Sequence, residues 1–330
     1  MRVSVVIPCY NGEPFLAEAI VSALCQTRTP DEVIVVDDGS TDGSPGVVSS
    51  FGEPVRLVRR PHRGISAARN TGLRAARGDL VAWLDADDVW EPQKLSLELP
   101  LFRDPAVGLV YGRHRTFDAG RNLGAPWPAE LPQGDVFAAL YFSCFPPNSS
   151  VVARHAALVE AGGFDEALEA AVDFDLWLRV SLRWHFAAVP APVSRRRHHP
   201  GQVSRRRAVQ MECQLRTQER HAAAFEARTG VGPAERRARI LSALLEEVEA
   251  QYYVRRELDE ARAMAEVLAR RFPDAPPAVA SRLRRIERRS RLPRVLFRVR
   301  DAVGGRPPSG PRTGAGAAAG SGAGVGEGAS

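Results

Sequence analysis

The sequence predicts an α/β protein: a Rossmann-like parallel sheet with helices on both faces, followed by a helical region and a low-complexity tail. Three observations predict it. Over the first hundred residues, short apolar runs of strand length alternate with stretches of helical periodicity. Polar clusters fall at the carboxyl ends of those apolar runs, where open α/β sheets bind ligands. The composition then changes twice, becoming helical from about residue 206 and a Gly, Ala, Ser and Pro mixture from Gly304.

The elements follow in order. VSVVI at 3–7 is an apolar run closed by Pro8, as a strand buried on both faces would be. EPFLAEAIVSALCQ at 13–26 places Phe15, Leu16, Ala19, Ile20, Ala23 and Leu24 at helical spacing, with Pro14 suited to the first turn. EVIVVDDGSTDGS at 32–44 is a strand and then a turn rich in Gly, Ser and Asp, and VRLVRR at 55–60 is a further strand. GISAARNTGLRAAR at 64–77 reads as a helix, and LVAWLDADD at 80–88 as the fourth strand, ending in three carboxylates. Beyond residue 100 the alternation weakens. Residues 107–117 form a strand pattern; 146–166 a strand, a helix and a Gly-Gly turn; 172–182 a helix; and 183–190 a closing strand. The first domain is therefore assigned to 1–205 and a helical appendage to 206–280, the latter holding a hairpin that ends near Phe272 and Pro273. A basic amphipathic segment covers 281–303, and 304–330 lacks the apolar content for a core and is expected to be disordered.

Charge and composition exclude several classes. The chain of 330 residues contains no apolar run long enough to span a bilayer, and its opening lacks the pattern of a signal peptide, so a cytoplasmic location is expected. Four scattered cysteines form no CxxC pair and read as reduced structural thiols. The net charge of +6 is concentrated at 281–300, which hold nine Arg and one Glu. Leu283, Ile286, Leu292, Val295, Leu296, Phe297 and Val299 are interleaved with these arginines, a mixture that suits an anionic membrane surface better than nucleic acid, for which no base-reading motif is present. No G-x-G-x-x-G follows the first strand, which argues against a dinucleotide dehydrogenase.

The carboxylates at 85–88 demand a positive partner. Asp85 and Asp87 are two apart, so an extended segment would point both the same way. Such a pair suits one hard divalent cation, Mg²⁺ or Mn²⁺, with coordination positions left for phosphate oxygens. Asp88 is read as the cap of a helix beginning near Glu91, Ser40 and Asp42 as turn residues, Arg63 as solvated, and Trp83, Trp90 and Trp177 as core.

Four motifs taken together, VSVVIPCYNGEPFLAEAIVSALCQT, VIVVDDGSTDGS, GISAARNTGLRAARGDLVAWLDADD and GGFDEALEAAVDFDLWLR, resemble in content and order the family 2 glycosyltransferases. The resemblance covers residues 2 to about 205. It implies a GT-A fold and transfer of a sugar from a nucleotide-diphosphate donor, with inversion, to a hydroxyl of a glycan or lipid-linked acceptor, in cell-surface polysaccharide or glycolipid synthesis. It also implies residue roles. Pro8 and Tyr10 would line the base and ribose pocket, and Asp38 would receive a base N–H. Arg69 would lie near the nucleotide and Asp85 would face the ribose. Asp87 would bind the metal, and Asp173 would be the catalytic base. His199, in RRRHHPGQ, matches the family's histidine and is a candidate to complete the metal site or touch the diphosphate; His198 does not match. Where the family commonly has Glu-Asp, this chain has Val172-Asp173, and Asp175 is a rival base. Asn148 is open to an acceptor-pocket or a turn role. The alternative reading is a non-catalytic nucleotide-sugar or glycan binding protein with the same fold.

Overall fold

The computed structural model describes residues 1–199 and 206–290. An eight-stranded sheet runs in the order β3-β2-β1-β4-β7-β6-β8-β5. Its strands are β1 (Val3–Cys9), β2 (Glu32–Asp37), β3 (Val55–Arg59), β4 (Leu80–Trp83), β5 (Val89–Trp90), β6 (Val107–Phe117), β7 (Val151–Arg154) and β8 (His185–Arg197). The first four are mutually parallel, as expected. The second half departs from the parallel expectation: β7 is antiparallel to both β4 and β6, and β5 is antiparallel to β8. The sheet is mixed, and the change of direction falls beside β4.

The helices are α1 (Glu13–Leu24), α2 (Ser44–Ser49), α3 (Ile65–Ala75), α4 (Lys94–Glu98), α5 (Phe137–Leu140), α6 (His155–Glu160), α7 (Val172–Ser181), α8 (Arg207–Arg220), α9 (Ala222–Thr229), α10 (Pro233–Glu249), α11 (Leu258–Arg271) and α12 (Pro277–Ser290). Side-chain alternation divides the strands between two apolar layers. Val3, Val5, Ile7, Val33 and Val35 face one layer with Leu16 and Ile20 of α1. Val6, Ile34, Val36, Val81 and Trp83 face the other, with Ala68 and Leu73 of α3 and Trp177 of α7. Burial on both faces is why these strands are continuous apolar runs in the sequence. Gly72 lets α3 lie close on the sheet, since a Cβ there would collide with Val6.

The helical region does not stand apart. Leu241, Leu244, Leu245 and Val248 of α10 and Met264 and Leu268 of α11 join the same apolar layer as Phe174 and Trp177. Leu283 and Ile286 of α12 are buried in it too. This corrects the membrane-facing assignment of those two side chains: the helix presents its apolar stripe to α11, and Arg284, Arg285 and Arg288 outward. The remaining apolar positions of that segment, and the tail expected to be disordered, lie outside the described residues. Among the described residues no helix is long and apolar enough to cross a membrane. All four cysteines are free, as their spacing predicted.

Candidate active site

The ends of β1, β2 and β4 bring the predicted polar groups to one edge of the sheet. After β1 the chain turns at Asn11, which takes a positive φ of 50°. The turn is fastened to the loop after β2. Asn11 donates its N–H to Ser40 Oγ (2.9 Å), Thr41 N–H donates to Asn11 Oδ1 (2.8 Å), and Glu13 N–H donates to Asp42 (3.1 Å). Ser40 and Asp42 are thus the turn residues they were read to be. Asp37 is buried and accepts from Ser40 N–H and Arg59 Nε.

Asp38 is 2% exposed and already well supplied with donors. Its carboxylate accepts the N–H groups of Arg63 and Gly64, the latter at 2.8 Å, and pairs with Arg60 (3.3 Å) and His62 (2.9 Å). In this structure Asp38 therefore anchors the 60–64 loop. The surface beside it is a stacked pair of half-exposed rings, Tyr10 and His62, with centroids 4.0 Å apart. Pro8 is buried within β1, and Tyr10 is the member of that predicted pair that reaches the open edge. Arg63 is largely exposed, 3.5 Å from Glu166.

The carboxylate motif is a turn, not an extended segment. β4 ends at Trp83, and Asp88 N–H donates to the Asp85 carbonyl at 3.0 Å. The two carboxylates consequently diverge. Asp85 accepts from Arg69 (2.7 Å) and from Asn148 Nδ2 (3.0 Å). Asp87 Oδ2 meets His199 Nε2 at 2.9 Å. Asp88 is buried and is not a helix cap, correcting the expectation: α4 begins at Lys94 and has no side-chain cap. Instead Asp88 accepts from Ser149 Oγ (2.6 Å) and from Arg197 N–H (3.1 Å), while Ser149 Oγ accepts Asp85 N–H (3.1 Å). Burial pushes the Asp88 carboxyl well above the usual range, and the charges of Asp87 and Asp85 push it further.

Beneath this turn lies a polar floor. Trp90 Nε1 donates to the Ser149 carbonyl (2.7 Å), and Lys94 Nζ donates to the Ser150 carbonyl (2.9 Å) and to Glu98 (2.5 Å). Lys94 and Glu98 are both wholly buried. Burial pushes the Glu98 carboxyl up to about 7 against the pull of the ammonium, and lowers the Lys94 pKa.

His199 reaches Asp87 because β8 runs to Arg197, seven residues beyond the predicted end of the closing strand. Arg197 donates from Nε to the Asp87 carbonyl (3.0 Å) and lies over the rings of Phe15 and Phe117. The His199 ring rests against Phe15, with centroids 4.9 Å apart. Among the described residues no group of three or more His, Cys, Asp or Glu side chains is arranged to hold a metal ion. Asp87 and His199 offer one carboxylate oxygen and one imidazole nitrogen, a donor set that suits a cation completing its shell with phosphate oxygens and water.

Asp173 sits on a different part of the rim, in the first turn of α7, half-buried, with Phe174 N–H donating to its own Oδ1 at 2.9 Å. The helix is entered through Ala171, which holds a left-handed φ of 53° that only a constrained alanine adopts. The Cys144 thiol is pushed up by burial and by the nearby charge of Asp173. Val172 is buried in the apolar layer. Asp175 is not available as a base. It is fully buried, accepts from Arg179 Nε (3.0 Å) and Nη2 (2.6 Å), and accepts from Arg220 (3.0 Å).

Sequence reasoning missed Ser149, Arg197 and His62. Arg197 lies in a strand end written Ser-Arg-Arg-Arg, which carries no apolar alternation to betray a strand. A separate cleft of about 350 Å³ between α8 and α11, lined by Glu169, Cys213, Arg216 and Arg270 among others, shares no residue with the carboxylate edge.

Known proteins resemble this arrangement. The profile of glycosyl transferase family 2 matches residues 4–166. An uncharacterised glycosyltransferase of Nostoc sp. is 34% identical over 169 residues, 48% of this chain and 52% of that one. Chondroitin synthase of Escherichia coli is 36% identical over 188 residues, 54% of this chain and 26% of that one. The chain thus spans about half or less of these curated relatives. By structure it is similar to S. aureus TarS 1-349 in complex with UDP, with a TM-score of 0.58 and 18% identity over 88% of this chain and 89% of that one. It is also similar to the mannosyltransferase PcManGT from Pyrobaculum calidifontis in complex with GDP-Man and Mn²⁺, with a TM-score of 0.55 and 22% identity over 86% and 78%. These likenesses bear out the expected GT-A fold.

Proposed function

From a chain whose residues 4–166 belong to glycosyl transferase family 2, we infer an inverting, metal-dependent glycosyltransferase that moves a sugar from a nucleotide-diphosphate donor to a hydroxyl of a glycan or lipid-linked acceptor. The observation that carries the reading is the meeting of Asp87 and His199 at 2.9 Å on the sheet edge where Arg69 holds Asp85. Bound there, a divalent cation supplies Lewis-acid neutralisation of the charge that builds on the leaving diphosphate.

The chain's own residues do the rest. Asp87 and His199 hold the phosphate side. Arg69 and Asn148 orient Asp85 toward the donor's ribose. Tyr10 and His62 offer a flat surface for the base. Asp173 takes the proton from the acceptor hydroxyl as its oxygen bonds to the anomeric carbon and the bond to the diphosphate breaks on the opposite face. Single displacement needs that base and no enzyme nucleophile. The exposed Arg284, Arg285 and Arg288 of α12 suit contact with an anionic membrane bearing a lipid-linked acceptor. With Leu283 and Ile286 turned inward, that contact is electrostatic rather than insertive.

The test is release of nucleoside diphosphate from a panel of UDP- and GDP-sugars, with and without Mn²⁺. One donor class should turn over, only with the cation, and Asp87→Ala should lower its rate about 100-fold or more. No release from any donor, or an Asp87→Ala variant with full metal-dependent activity, would overturn the reading.

A further inference from the structure

The residue proposed as the base lies beyond the matched 4–166 segment, and so do Arg179 and Arg220, which hold its helix turn. Asp173 is in the first turn of α7, two residues before Asp175. Asp175 is a fully buried carboxylate, which is stable as an anion only if both oxygens are supplied with donors. Its Oδ2 is served by Arg179 from its own helix. Its Oδ1 is served by Arg220 at 3.0 Å, and Arg220 is the last residue of α8. The same guanidinium nitrogen bonds Asp165 at 3.0 Å, on the loop that leads through Ala171 into α7. Arg220 therefore joins three segments: the loop before the base, the helix turn that carries it, and the first helix of the C-terminal region. The neighbouring His221 is no substitute donor of charge, since burial lowers its pKa.

A second clasp comes from the same turn of α8. Tyr141 Oη donates to the Gln218 carbonyl (2.5 Å), and Gln218 Nε2 donates to the Tyr141 carbonyl (2.7 Å). Tyr141 stands three residues before Cys144, the thiol that feels the charge of Asp173. Residues 217–221 thus pin both sides of Asp173, and none of them reaches the Asp87–His199 edge by any hydrogen bond described for them.

We propose that Arg220 is a positioning residue for the acceptor-side step, so that the helical region beginning at α8 takes part in sugar transfer and not in donor binding. This rests on the transferase reading and on Asp173 as its base. A base moved by about 1 Å loses on the order of 100-fold in rate, so a partial release of the α7 turn is expected to cost less.

The experiment compares full-length wild type, Arg220→Met and Arg220→Lys in two assays. One is calorimetric binding of UDP and GDP with Mn²⁺. The other is release of diphosphate from the matching nucleotide-sugars, with water as the acceptor. Arg220→Met should keep its Kd within about twofold while its kcat falls about tenfold, and Arg220→Lys, which retains a donor for Asp175, should recover most of the loss. The inference alone fails if Arg220→Met turns over at the wild-type rate, or if binding and turnover fall together in a folded variant. Should Arg220→Met not fold, Arg220→Gln decides: lowered turnover with unchanged binding upholds the inference, and wild-type turnover or weakened binding overturns it. If wild type binds diphosphate but releases none from any donor, the transferase reading itself fails and takes this inference with it.

Discussion

The donor edge and the acceptor flank are built from different kinds of contact. At the donor edge the turn after β1, the turn after β2 and the 60–64 loop bond to one another over separations of about 25 to 32 residues, all within one run of parallel strands. The acceptor flank is assembled from distant pieces. Arg220 reaches Asp175 across 45 residues and Asp165 across 55, Gln218 and Tyr141 clasp across 77, and the base is carried by a helix that α8 braces from beyond the matched family segment. The difference teaches where each function is vulnerable. Apart from the contacts that Asp85 and Asp87 make with Asn148 and His199, the donor edge depends on local turns that the motifs encode directly. The base depends on the packing of the whole second half of the chain.

The largest effect that sharpens this contrast is on Asp173. Asp173→Asn is isosteric and leaves the first turn of α7 intact, so diphosphate release should fall about 1000-fold by loss of general-base catalysis while donor binding is kept. Equal loss of both in a folded variant would erase the distinction between the two regions.

The next effect is on stability, at the floor where the two regions meet. Lys94 supports the Ser150 carbonyl and neutralises buried Glu98. Lys94→Met strands that carboxyl and should cost about 3 kcal/mol in denaturant unfolding, with Lys94→Met/Glu98→Leu recovering most of it. A single variant as stable as wild type would mean that the pair is dispensable to the turn holding Asn148 and Ser149.

A smaller effect should appear on the β6 side as a pH dependence. His114 is 5% exposed, and burial, together with the charges of Arg196 and His198, lowers its pKa to about 4. The unfolded chain therefore binds a proton near pH 6.5 that the folded chain refuses until about pH 4. This contribution is fully present above pH 6.5 and is lost as pH falls from 6.5 to about 4, by at most about 3 kcal/mol. Unfolding curves of wild type and His114→Leu should diverge across that window in this sense. Parallel pH profiles would contradict the buried neutral imidazole.

The same contrast explains what was legible in the sequence. Strands β1, β2 and β4 read correctly because burial on both faces makes each a nearly continuous apolar run, and the helices α1, α3 and α7 because one face is apolar. The mixed second half of the sheet was not legible: an antiparallel β7 is as apolar as a parallel one, and β8 ends in arginines. The pairing of Asp87 with His199 was foreshadowed only by resemblance, since 112 residues separate them. The divergence of Asp85 from Asp87 and the burial of Asp88 arise from a turn closed by Ser149 and Arg197, residues with no local signature. Leu283 and Ile286 misled because an apolar stripe among arginines looks the same whether it meets a membrane or a neighbouring helix.

The most direct measurement is calorimetric titration of UDP and GDP, with and without Mn²⁺, into Asp87→Ala and Asp173→Asn side by side with wild type. The account predicts tight, Mn²⁺-dependent binding of one diphosphate that is retained in Asp173→Asn and lost in Asp87→Ala. Binding that survives in Asp87→Ala, or that is abolished in a folded Asp173→Asn, would contradict it.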